Sequence, residues 1–119
     1  MTGTVYRIEN SDNGCGPYIS GDNYDEEVYG KVHGTISSKH PTPIIEFNRD
    51  IEDEEFCGFN SIAQLKKWFN KAILRFMLNR TFQVLVYKDV KITAIGEKQV
   101  LFIKKGRTRN ITKSFLKNL

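Results

Sequence analysis

The sequence predicts an α+β domain: one main amphipathic helix packed on a mostly antiparallel sheet. Three observations predict it. The stretch SIAQLKKWFNKAILRFML (61–78) sets Ile62, Leu65, Phe69, Ala72, Ile73 and Phe76 on one stripe of a 3.6-residue period, with Trp68 beside them. FQVLVY (82–87) and QVLFI (99–103) are β-branched and aromatic runs bounded by turn residues. The 119 residues, 39% apolar and 27% charged, suit one soluble domain over 1–119 that buries its core unaided.

Taken in order, Val5, Tyr6, Arg7 and Ile8 form a first strand, and the glycine- and asparagine-rich segment 10–21 is a loop. An acidic stretch follows at 22–27, then a strand at 31–37. His40-Pro41-Thr42-Pro43 is extended, because each proline turns the preceding residue away from the helical region. Strand composition returns at 44–47, and the acidic run 50–55 is either solvated or a short helix. Ser61 is the N-cap of the main helix, with Gln64 completing a capping box, and the helix ends near Asn79. Strands are expected at 82–87, 90–94 and 99–103. A turn at 104–107 contains Gly106, an edge strand covers 109–112, and a turn or short helix closes the chain at 114–119.

The net charge of +4 is unevenly spread. Residues 1–58 carry 4 Lys/Arg and 12 Asp/Glu, or −8; residues 59–119 carry 14 and 2, or +12. Such polarity bears on partners, unless the two halves pair within the fold. Cys15 and Cys57 stand far apart with no CxxC pair, so free thiols in the cytoplasm are expected. No apolar run spans a membrane, and MTGTVYRIEN lacks the features of a secretory signal. The Gly14, Gly16 and Gly21 loop has no Walker lysine-serine ending, and no GxSxG surrounds Ser37 or Ser38. His33 and His40 have no metal-ligand spacing around them, so no metal is expected.

Arg7, flanked by Tyr6 and Ile8, needs an anionic partner if it points inward: a phosphate or carboxylate ligand, or a nearby acid of the chain itself. Glu97 and Gln99 stand two apart, so on a strand they share a face. A carboxylate and an amide so placed can hold a ribose, though polar residues are routine at a hairpin mouth. Lys67, Lys71 and Arg75 form an i, i+4 row on the polar side of the helix. With Lys104, Lys105 and Arg107 they make a partner-binding set for an acidic host protein, or for nucleic acid. Aromatics are not interleaved with the basic tail, which weakens the nucleic-acid reading.

Tyr6-Arg7-Ile8 resembles the opening strand of the arginine-serine-glutamate ADP-ribosyltransferases, and Glu97-Lys98-Gln99-Val100-Leu101-Phe102 resembles their ExE-plus-apolar strand. Gly34-Thr35-Ile36-Ser37-Ser38 resembles the family's serine-threonine-serine strand. The resemblance implies an ADP-ribosyltransferase-like fold that binds NAD or an ADP-ribose-type nucleotide. Arg7 would meet phosphate, Tyr6 and Ser37 would line the pocket, and Glu97 and Gln99 would occupy the catalytic, ribose-holding positions. Gln99 stands where the family has its catalytic glutamate, and an amide cannot steady an oxocarbenium-like charge, so catalysis stays open. The layout YRIE, GPY, HPTP, CGFNSIAQLKKWF and KQVLF resembles small bacteriophage-type proteins. That likeness implies a phage or mobile-element accessory protein at work in the host cytoplasm. The alternative is a non-catalytic inhibitor or interaction module that binds through its basic C-terminal half.

Overall fold

The computed structural model describes residues 1–16, 19–20, 23–24 and 46–119. Its elements run β1 (Thr2–Asn10), β2 (Ile19–Ser20), β3 (Asn23–Tyr24), β4 (Glu55–Gly58), α1 (Ile62–Trp68), α2 (Lys71–Leu78), β5 (Phe82–Ile95), β6 (Val100–Ile103), β7 (Arg107–Asn110) and α3 (Thr112–Lys117). The α+β class is as predicted. The strand expected at 31–37 and the first half of that at 44–47, with His33, Ser37, His40, Pro17 and Tyr18, lie outside the described residues, and Glu46 and Phe47 are helical where a strand was expected. Within the expected loop 10–21 and the acidic stretch after it, β2 and β3 pair as a two-stranded ribbon.

The main sheet is antiparallel, in the order β1-β5-β6-β4, with β7 paired to β5 as well. Phe59, just past β4, exchanges both backbone hydrogen bonds with Tyr6 of β1, each 2.7 Å. The last strand of the order is thereby tied back to the first, and the sheet curls on itself. Gly58 makes this closure sterically feasible. A Cβ there would lie 2.4 Å from Val5 Cγ1 and 3.0 Å from Tyr6 O, closer than real side chains come.

The alternation of β1 sorts its side chains onto two faces. Tyr6 and Ile8 join Phe59, Phe82, Val84 and the helices in one core. Val5 joins Leu85, Tyr87, Val90, Val100 and Phe102 in a second, inside the curl. Arg7 and Glu9 fall on the Val5 face and are both buried.

Two expectations are corrected. The segments 82–87 and 90–94 form one 14-residue strand, and Asp89 bends it with φ +59° instead of ending it. The single helix is two. Ser61 does cap the first, accepting from Gln64 N at 3.0 Å, and Gln64 Oε1 accepts from Asn60 N at 2.8 Å. Phe69 is then extended, and Asn70 caps a second helix by accepting from Ile73 N at 2.9 Å. Asparagine competes with a helical backbone through its own side chain, and here it restarts the helix in a new phase. Ile73, Leu74, Met77 and Leu78 become the buried positions, while Ala72 is exposed and Phe76 only half-buried.

Candidate functional site

Inside the curl, three side chains converge on one carboxylate oxygen, Glu9 Oε1. Glu9 Oε1 accepts from Arg7 Nε at 2.9 Å and from Tyr87 OH at 2.6 Å, and it stands 2.5 Å from Lys104 Nζ. The strand pairing explains the meeting. Val5 lies opposite Tyr87, Arg7 and Glu9 follow on the same face of β1, and Lys104 continues the inward parity of Phe102 just beyond β6. Arg7 Nη1 also donates to Cys57 O at 2.6 Å. The Phe56 ring lies under both cations, with its centroid 5.2 Å from Arg7 Cζ and 4.2 Å from Lys104 Nζ. The loop after β1 covers the group: Gly14 O faces Lys104 Nζ at 3.3 Å, and Gly16 lies against the Arg7 guanidinium.

Burial pushes the Glu9 carboxyl up, but hydrogen bonds from Lys104 and Tyr87, with the charges of Arg7 and Lys104, bring it net below its ordinary value. Burial and the Glu9 hydrogen bond raise the Tyr87 phenol, so Tyr87 is a fixed donor. The chemistry of this group is that of a buried ion network.

Of the residues expected to form a nucleotide pocket, the described ones are not brought together. Tyr6 and Arg7 project to opposite faces of β1. Glu97 and Gln99 do not share a strand face, because β6 begins at Val100 and residues 96–99 form the turn before it. Gly96 N donates to Gln99 O at 2.9 Å across that turn. Glu97 is exposed and Gln99 is 3% exposed. Gln64 Nε2 donates to Glu97 O at 2.9 Å, and Lys98 N donates to Glu46 Oε2 at 2.7 Å, so the turn is pinned from two sides. Glu97 borders a cleft of about 210 Å³ with Gln64, Lys67, Trp68 and Lys98, whereas Arg7 meets Glu9, Phe56 and Cys57 among the described residues.

The expected partner-binding set divides as well. Lys104 turns inward to Glu9, with its side chain 23% exposed, so it is not a surface group as expected. Lys105 is exposed, and Arg107 pairs with Asp89 at 2.8 Å at the surface. Lys67, Lys71 and Arg75 are exposed, but the helix break means that only Lys71 and Arg75 keep an i, i+4 relation. Lys66, also exposed, joins them. No acid occurs from 61 to 78, and none of the ion pairs among the described residues involves these four cations.

Sequence reasoning missed Glu9, Tyr87 and Phe56 as partners of Arg7. The signal for Glu9 was present, since an acid two residues along a strand shares the arginine's face. It also missed the second buried acid. Glu55 receives both terminal nitrogens of Arg49, each at 2.8 Å, the backbone N of Glu52 at 2.8 Å, and the Thr93 hydroxyl. The Arg49 hydrogen bonds draw the Glu55 carboxyl down to about 2.

Fold and surface define a small α+β domain with a closed antiparallel curl, an internal ion network and a cationic helical face. The family model described as "Bacteriophage T4 Y00F protein" matches residues 1–115, and the chain belongs to that family. Neither the curated proteins nor the solved structures gave a match. No helix among the described residues is long and apolar enough to cross a membrane.

Proposed function

We propose that this phage protein is a non-catalytic interaction module that docks on an acidic surface of a host protein, in the host cytoplasm. One observation carries the reading: α1 and α2 turn Lys66, Lys67, Lys71 and Arg75 outward, with no carboxylate in either helix to neutralise them. A rigid face of one sign selects partners of the other sign and speeds encounter with them. The helices are held from behind by Leu65, Trp68, Ile73, Leu74, Met77 and Leu78, so the cations stand on a fixed scaffold.

NAD or ADP-ribose binding around Arg7 is the weaker reading. Arg7 already donates to Glu9 and Cys57 O, and a phosphate would have to displace them. The test is affinity capture from nuclease-treated host lysate with the native chain and with Lys67→Glu/Lys71→Glu/Arg75→Glu. The expected result is one acidic protein held by the native chain and lost by the variant, then reproduced with that protein purified. Equal capture by both would end this reading.

A further inference from the structure

A cleft of about 640 Å³ lies between the turn after α2 and the junction of β7 with α3. Three cations line it, each from a different element: Arg80 from the turn, Arg109 from β7 and Lys113 from α3. No acid lines it. Arg109 and Lys113 carry like charges at one cleft, and an anion seated between them relieves their repulsion.

The cations are not all loose surface groups. The Arg80 guanidinium stacks on the Phe76 ring, 4.3 Å from its centroid. Arg109 sits on a strand held in register opposite Val86. Arg107, its neighbour on the same face of β7, is engaged by Asp89, whereas no ion pair among the described residues involves Arg109 or Lys113. The neutral polar groups beside them are locked together. Asn110 Nδ2 donates to Gln83 Oε1 at 2.6 Å, and Asn110 Oδ1 accepts from Thr112 N at 2.9 Å and Thr112 Oγ1 at 2.6 Å. Thr112 Oγ1 accepts in turn from Val84 N at 3.0 Å. Guanidinium forks beside ordered amides and hydroxyls suit a doubly interacting oxyanion on a sugar-bearing group.

We propose that this cleft binds a phosphate ester, with Arg80, Arg109 and Lys113 on the phosphate oxygens and the amides of Gln83 and Asn110 beside the attached sugar. The site shares no residue with the docking face on α1 and α2, so either can stand without the other. A phosphate ester reaches it as a free nucleotide or as the backbone of a nucleic acid, and the test separates these sources. The full chain is titrated with ADP-ribose by calorimetry, and with a fluorescent single-stranded oligonucleotide by anisotropy, at about 50 mM salt. Binding of ADP-ribose assigns the free nucleotide. Binding of the oligonucleotide alone, with affinity falling steeply as salt rises, assigns the backbone.

In either case Arg109→Ala/Lys113→Ala is expected to weaken binding at least about tenfold, the loss of two charge-assisted contacts. Both residues are exposed, so the variant is expected to fold, which its circular dichroism and thermal unfolding check. Lys67→Ala/Lys71→Ala is expected to leave binding unchanged. No binding of either probe overturns the proposal. So does native-like binding by the Arg109/Lys113 variant, or an equal loss in the Lys67/Lys71 variant, which would mean diffuse charge attraction with no defined site.

Discussion

Replacing Glu9 with glutamine leaves Arg7 and Lys104 facing each other inside the curl without their shared carboxylate. Breaking a buried ion network from one side typically costs about 3–5 kcal/mol, because the remaining charges stay desolvated. Lys104 is partly open to water, so Glu9→Gln is expected at the lower end, about 3 kcal/mol by urea unfolding. A loss below about 1 kcal/mol would show that the network relaxes into solvent when its centre is removed. Acid should unfold the protein through the same kind of group. Glu55 titrates at about 2 in the fold against an ordinary 4.5, chiefly through its Arg49 hydrogen bonds. A carboxylate held low contributes stability that is complete above pH 4.5, declines as the pH falls, and is gone below about 2. Glu9, also held low, adds to the loss with the same sign. Denaturation midpoints measured from pH 6 down should therefore fall across that window, and Arg49→Ala should flatten the slope.

Among the elements, β4 depends on a residue with no side chain at all. Gly58→Ala would drive a methyl to 2.4 Å from Val5 Cγ1 and 3.0 Å from the Tyr6 carbonyl, where the sheet closes. Overpacking at such a contact costs about 1–3 kcal/mol, and the backbone side of the clash cannot swing away. Gly58→Ala should therefore lower the melting temperature and speed exchange of the Tyr6 and Phe59 amides, which close the curl. The sequence made some elements legible and hid others for identifiable reasons. The Ser61 cap and the β-rich runs are local signals, and they appear where expected, although the Gln64 side chain reaches back to Asn60 N and not to Ser61 N as a full capping box would. The helix break was hidden because the apolar pattern runs on through Phe69 and Asn70, while the competing cap is one side chain on Ile73 N. The expected break between 87 and 90 does not end the strand, because tertiary pairing along β5 carries it through Asp89. At the candidate site, Arg7 was legible only as a cation that needs an anion if it points inward. Glu9 was in view from alternation, but Tyr87 and Lys104 reach it only through a strand register that no local pattern specifies.

For the molecule as a whole, the uneven charge divides into two uses. Arg7, Arg49 and Lys104 are spent on holding Glu9 and Glu55, whereas the cations of α1 and α2 hold nothing among the ion pairs of the described residues. Reversing Lys71 and Arg75 should thus shift stability by no more than about 0.5 kcal/mol each, while abolishing host capture. A large loss of stability would reassign those cations to the fold. The closed curl also sets an order of events during synthesis. β1 is made well before its antiparallel partner β5, so Asn10 waits for Phe82 and Thr2 for Lys91. Translation at about 5–20 residues per second puts roughly 4–14 s between the appearance of Asn10 and that of its partner. Throughout that interval Val5 and Ile8 have no β5 to pair beside, and a ribosome stalled before Phe82 would carry a nascent chain with β1 lacking that partner.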